Sequence, residues 1–139
     1  MRPILIISLF LIALSSCKSQ HYTIDDLPET QLIFGRGGGV TGEVTTYTLL
    51  ENGQLFYHNS LTKENTEMKS LSKKEATSCF QKMDSLKLSE MNFNYPGNLY
   101  YFLEEVNGDE KYRVTWGSTD HEISEECQEF YKELRTTIK

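Results

Sequence analysis

The sequence predicts an α+β fold, a mostly antiparallel sheet built from two Asn-Gly hairpins with two amphipathic helices packed on one face. Three observations carry that prediction. Asn52-Gly53 and Asn107-Gly108 each sit between runs that alternate apolar and polar residues, the strongest short-range hairpin signal. The segments 76–87 and 123–138 instead repeat apolar residues every three or four positions, the helical period. A sheet and two helices that are each apolar on one side bury all three surfaces together when the helices lie on the sheet.

Taken in order, Gln31 to Phe34 reads as a first strand. Val44 to Glu51 then meets Gln54 to His58 across Asn52-Gly53, a pair suited to a two-residue type I′ turn. That register sets Leu50 opposite Leu55, Leu49 opposite Phe56 and Tyr47 opposite His58. Leu61 to Leu71 is either a loop or a further polar strand around Thr66 to Leu71, and the strand is preferred. Ser72 with Glu75 forms a capping-box signature, and Ala76, Cys79, Phe80 and Met83 continue at helical spacing, so a first helix runs from about Lys73 to Leu86.

Tyr95-Pro96-Gly97-Asn98 is a turn signal. Leu99 to Val106 and Asp109 to Trp116 follow, and a second type I′ turn at Asn107-Gly108 would set Leu99, Tyr101 and Leu103 opposite Trp116, Val114 and Tyr112 as a core face. The other face would carry Glu104 against Lys111 and Phe102 against Arg113 in water. Thr119 with Glu122 repeats the capping-box signature, and Ile123, Cys127, Phe130, Tyr131, Leu134 and Ile138 form one stripe of a closing helix. The order suggests a ββα duplication.

The chain begins with Arg2, an apolar run from Ile4 to Leu14 interrupted only by Ser8, and then Leu14-Ser15-Ser16-Cys17. The run is about half the ~20 residues needed to span a bilayer, as in the core of a signal peptide. Its ending resembles the lipobox of bacterial lipoproteins. The resemblance implies that residues 1–16 are removed and that Cys17 becomes an acylated N-terminus, a lipid anchor in the membrane. Several acyl chains hold a protein stably where one holds it marginally. Residues 17–30, polar and containing Asp25-Asp26 and Pro28, then read as a flexible tether, and residues 31–139 as a single domain. Lys18, in the position where this class carries Asp for inner-membrane retention, implies the outer membrane, facing the periplasm. Tyr47-Thr48-Leu49-Leu50-Glu51-Asn52-Gly53 and Trp116-Gly117 are similar to features of small lipoproteins of this kind, and bring no catalytic residues with them.

Charge narrows the partners. Of the 14 Lys and Arg only Arg2 lies in residues 1–16, so the processed chain carries 13 basic against 20 acidic residues and a formal charge of −7. Nucleic acid and anionic lipid are poor partners for such a surface, and a basic protein is a good one. An envelope location permits a Cys79–Cys127 disulfide, the alternative being two buried free thiols.

Several motifs suggest chemistry without completing it. Gly37-x-Gly39-x-x-Gly42-x-Val44 has the spacing of a dinucleotide or kinase glycine loop, but a strand rather than a helix follows it, and the kinase partner motifs are absent from the sequence. The glycines are expected to form a loop of unusual backbone, with Arg36, Gly37, Gly38 and Gly39 as a candidate protein-contact site. His121 and Glu125 stand four apart on the expected second helix, a spacing too generic to assign a metal. No cofactor is expected, and no serine or cysteine lies in a nucleophile motif. Tyr100, Phe102 and Arg113, with Tyr95, form either an exposed aromatic contact patch or a surface covered by the fold. The expectation is a non-enzymatic, membrane-tethered module that binds an envelope protein, of inhibitor or immunity type, or alternatively one that binds a small molecule or cell-wall fragment.

Overall fold

The computed structural model describes residues 20–139, so the expected signal segment, Cys17 and Lys18 lie outside the described residues. The fold is α+β. One mixed, mostly antiparallel sheet runs in the order β4-β3-β2-β1-β6-β7-β5, with β1 Thr30–Gly38, β2 Glu43–Leu50, β3 Leu55–Asn59, β4 Asn65–Met68, β5 Asn94–Tyr95, β6 Leu99–Asn107 and β7 Glu110–Trp116. Only the short edge pairing of β5 with β7 is parallel. Two helices, α1 Lys73–Leu86 and α2 Glu125–Thr137, contribute to the same core. Leu32 and Phe34 of β1 meet Leu49, Leu55, Leu103 and Val114 there, under Met83, Cys127 and Leu134 of the helices.

Both hairpins form, with registers that differ from the expected ones. In the first, Leu49 faces Leu55 and Tyr47 faces Tyr57, a shift of one residue. Leu50 N–H donates to Gln54 C=O at 2.9 Å, so the connection is the three residues Glu51, Asn52 and Gly53. Gly53 takes φ +94° and closes the loop, and Asn52 Oδ1 accepts from Gln54 N–H at 2.9 Å. This is the three-residue class of hairpin, with glycine in the left-handed position. The shift leaves Leu49 on the helix side and puts Leu50, also fully buried, on the other. In the second hairpin Asn107 pairs with Glu110, so the turn residues are Gly108 and Asp109. Gly108 has φ +60° and Asp109 does not have a positive φ, which fits glycine at the first central position of a type II′ turn. The shift is two residues, so every side chain keeps its face while its partner changes. Leu103 faces Val114, Tyr101 faces Trp116 and Glu104 faces Arg113.

The first helix starts where its capping box predicts. Ser72 Oγ accepts from Glu75 N–H at 3.2 Å, and the Glu75 carboxylate accepts from Ser72 N–H at 2.8 Å. Those bonds, the backbone one foremost, hold the Glu75 carboxyl below its usual range. The second helix starts later than Thr119 and Glu122 imply. Its N-cap is Ser124, whose hydroxyl accepts from Cys127 N–H, and Glu125 and Glu126 fill the first turn where the helix dipole favours acids. Ile123 is buried just ahead of it. Cys79 and Cys127 are free buried thiols, not a disulfide, and burial pushes both thiols up in pKa.

Residues 20–29, expected as tether, are strapped across the hairpin-turn end of the sheet. The buried Gln54 amide acts as a surrogate strand, accepting from Tyr22 N–H at 2.8 Å and donating to Tyr22 C=O at 3.0 Å. Asn52 Nδ2 donates to Gln20 C=O, and Gly108 N–H donates to Glu29 C=O. The domain therefore begins by residue 20.

The sheet also argues against a ββα repeat. β2 and β6 flank β1 and are both antiparallel to it, so they run the same way, yet β3 lies outward on one side and β7 outward on the other. With both helices on one face, the two ββα units have opposite hand, and no rotation superposes them.

Gln54→Ala is expected to cost about 2 kcal/mol in urea unfolding, because it leaves buried strap groups unpaired. It should also open residues 20–29 to limited proteolysis before the core is cut; an uncut strap with unchanged stability would contradict this role.

Candidate functional site

The glycines lie in the middle of the sheet. Gly35, Gly37 and Gly38 belong to β1, which pairs with β2 on one side and β6 on the other, and the turn to β2 occupies only residues 39–42. A Cβ on Gly35 would stand 2.1 Å from Thr45 C=O and 2.7 Å from the Phe102 ring, and one on Gly37 would stand 2.4 Å from Tyr100 Oη. Both aromatic residues are cross-strand partners of the glycines they cover. Glycine here opens room for a neighbouring ring on the sheet surface, rather than a mobile loop.

That packing separates two groups of expected site residues. On the face away from the helices, Phe102 is only 1% exposed, Arg113 lies over its ring at 4.3 Å, and Arg113 Nε donates to Glu104 at 2.7 Å. Phe102 is thus buried within the fold and offers no exposed contact, while Arg113 stays exposed above it. Arg36 belongs to the opposite, helix-bearing face by strand alternation with Leu32 and Phe34, and it is exposed.

Around Arg36 the sheet register assembles a row: Asn59, Thr45, Arg36, Tyr101 and Trp116, one from each of five adjacent strands. This row is the rim of the helix-bearing face, one step beyond the core row Tyr57, Tyr47, Phe34, Leu103 and Val114. A pocket of about 190 Å³ opens beside Arg36, lined also by Glu43, Thr45, Leu99 and Tyr101, with Gly37, Gly38 and Tyr100 completing its wall. A second hollow of about 280 Å³ lies between Tyr101 and Trp116 below and Gln128, Tyr131 and Lys132 of α2 above. Tyr101 borders both, so the two hollows adjoin along the rim, and the pair is the rim cleft.

The electrostatics of this cleft are unusual for so acidic a chain. Glu43 accepts a hydrogen bond from the buried Asn59 amide, and among the described residues Arg36 has no carboxylate within 4.0 Å. Arg135 stacks over the Tyr47 ring at 5.0 Å, and Tyr47 in turn stacks on Phe34. Tyr131 packs edge-on against Phe34, Tyr101 and Trp116. Its hydroxyl and Arg135 Nη1 are both buried, and neither has a hydrogen-bond partner among the described residues. Burial raises the Tyr131 phenol to about 12, against the opposing pull of the Arg135 and Arg36 guanidiniums. An unpaired buried hydroxyl and guanidinium edge are costly, and such groups are typically kept for a reason other than stability.

Of the expected contact residues, the structure brings Arg36, Gly37, Gly38 and Tyr100 together at the pocket and leaves Gly39 in the adjoining turn. The apolar or helical pattern of Tyr101, Trp116, Tyr131 and Arg135 marks each of them only as core or helix surface. Their common signal is register, because Arg36, Tyr101 and Trp116 become neighbours only once β6 and β7 are aligned on β1. His121 precedes α2 rather than lying on it, and its ring stacks on Tyr95 with centroids 3.8 Å apart. Among the described residues no group of three or more His, Cys, Asp and Glu is placed to hold a metal ion, and no helix is long and apolar enough to cross a membrane.

Tyr131→Phe removes an unpaired buried hydroxyl and is expected to raise unfolding stability at neutral pH by about 1 kcal/mol. The phenol ionises near 10 in an unfolded chain and near 12 in the folded one, so its contribution is intact below pH 10 and is lost as pH rises towards 12. Denaturant titrations at increasing alkaline pH should therefore show a shallower decline for Tyr131→Phe than for the parent protein. A variant that is less stable at neutral pH would show that the hydroxyl is paired in solution.

No protein-family model matches the chain and no curated protein matches it. Its function has to be read from the cleft and from the two ends of the sheet.

Proposed function

We propose that this protein is a non-enzymatic, lipid-anchored binding module of the cell envelope, which presents its rim cleft to a protein partner. The observation that carries this reading is the polarity of the sheet. The strap of residues 20–29 is fastened at the end bearing both hairpin turns, and the cleft opens at the other end, where β1 turns into β2. The seven residue steps of β2 from Leu50 to Glu43 separate those ends by roughly 23 Å.

Acylation of Cys17 follows from its lipobox-like setting and supplies the anchor. Only three residue steps join Cys17 to Gln20, a reach of at most about 11 Å, so the strap end sits close to the membrane and the cleft points away from it. Lys18 favours delivery to the outer membrane, with the domain in the periplasm. An inhibitor or immunity protein is the concrete form of such a module: a rigid sheet, a fixed orientation, and an aromatic and arginine-bearing surface of the type that anchors interfaces.

A second reading, a binder of cell-wall fragments or other small molecules, draws on Tyr101 and Trp116 flanking the cleft, since flat aromatic faces stack on sugar rings. Thermal-shift screening against sugars and peptides separates the two readings.

Crosslinked affinity purification of the full-length protein from native envelopes, beside Cys17→Ser, tests the leading reading. One stoichiometric partner is expected with the parent protein, with recovery falling for Cys17→Ser. Recovery of the protein alone at low salt, with efficient crosslinking, would sink it.

A further inference from the structure

We infer that the rim cleft is a carboxylate-recognition site, and that its occupant is a segment of the partner protein carrying a carboxylate beside an apolar or aromatic side chain. The inference deepens the binding-module reading and rests on it.

Four observations converge on that chemistry. Arg36 is exposed at the mouth of the 190 Å³ pocket, and the one acid lining that pocket, Glu43, is held by Asn59. Tyr131, 93% buried, carries a hydroxyl with no partner among the described residues, and Arg135 Nη1 is in the same condition. Tyr101, the cross-strand partner of Arg36, packs on the Tyr131 ring, and Tyr131 meets Phe34, on which the Tyr47 ring beneath Arg135 is stacked. Tyr131 also walls the adjoining hollow, so an exposed guanidinium and a side chain with an unpaired hydroxyl border the same rim, and a ligand acceptor with negative charge is what they call for.

The size and charge of the cleft choose among anions. A carboxylate is planar, matches the fork of a guanidinium and carries a single charge. A phosphate dianion would have to approach a chain of net charge −6 with Arg36 as the cleft's one freely exposed guanidinium. The adjoining 280 Å³ hollow, lined by Tyr101, Trp116 and Tyr131 together with Gln128 and Lys132, offers ring faces to an apolar or aromatic side chain. A peptide segment offers both groups a few ångströms apart. The cationic character is local, so a partner that is basic overall and docks one acidic residue here satisfies both the long-range field and the site.

N-Acetylphenylalanine is the minimal probe, with N-acetylphenylalanine amide as its uncharged twin. Binding to the full-length protein can be followed by the fluorescence of Trp116, the chain's single tryptophan. The acid is expected to bind about tenfold more tightly than the amide, the worth of one charge-assisted hydrogen bond. Arg36→Gln should reduce the acid to the level of the amide, Arg36→Lys should retain part of the preference, and Tyr131→Phe should weaken the acid without loss of fold. Equal binding of acid and amide, or a preference untouched in Arg36→Gln, overturns the inference. Tighter binding of the cell-wall dipeptide L-Ala-γ-D-Glu than of acidic peptides of protein type overturns the choice of a protein segment. In the envelope crosslinking experiment, a partner recovered equally by Arg36→Gln overturns carboxylate recognition and leaves the binding module standing. Absence of any partner, with the acid preference intact, overturns the module and leaves the carboxylate site.

Discussion

The structure depends on how closely β6 approaches β1. Gly35 and Gly37 carry no side chains on the open face of the sheet, and Phe102 and Tyr100 lie across the space this leaves. Any other residue at Gly35 would drive a Cβ into Thr45 C=O and into a buried ring, so the pairing of β1 with both neighbours is tied to these positions. A one-residue slip of β6 would set its aromatic residues over Phe34 and Arg36 instead and turn Leu103 out of the core. The glycines therefore fix the register, and the register fixes which residues share the rim.

Two consequences follow for the site. Arg36 is the one β1 residue in the glycine stretch with a side chain, and alternation aims it at the helix-bearing face, beyond the last core layer. The same alignment puts Tyr101 and Trp116 beside it in one row and leaves Phe102 and Arg113 on the reverse of the sheet. A single feature, small residues at alternate positions of a central strand, thus builds a sealed face and an open cleft from the same two strands. The strap closes the opposite end, where Gln54 substitutes for a missing strand, so the strap and the cleft lie at opposite ends of the sheet.

Much of this fold is legible in the sequence, and the illegible part has a definite cause. Helix α1 was readable because Ser72 and Glu75 satisfy a capping box that nothing nearby competes with. For α2, Thr119 and Glu122 match the same pattern, but the chain spends Ile123 as a buried anchor and caps at Ser124 instead. The hairpins were readable and their registers were not. Leu49 and Leu50 are both apolar, so the pattern accepts either alignment, and the choice falls to Gly53 and to the hydrogen bonds of the strap. Arg36 was recognisable as an isolated cation among glycines. Tyr131 and Arg135 were not, because their role arises from where α2 crosses the rim, which no local pattern encodes.

The cleft raises the question of how two arginines are kept near one another with no carboxylate of the described residues in direct contact with either. Arg135 occupies the last turn of α2, where the helix dipole favours a cation. Its guanidinium also rests on the Tyr47 ring, an attraction to the face of the π system that leaves the N–H edges uncommitted. Arg36 remains in water at the rim, which limits the repulsion between the two by solvent screening. The positive charges are thus stabilised by a dipole, a ring face and solvent rather than by carboxylates.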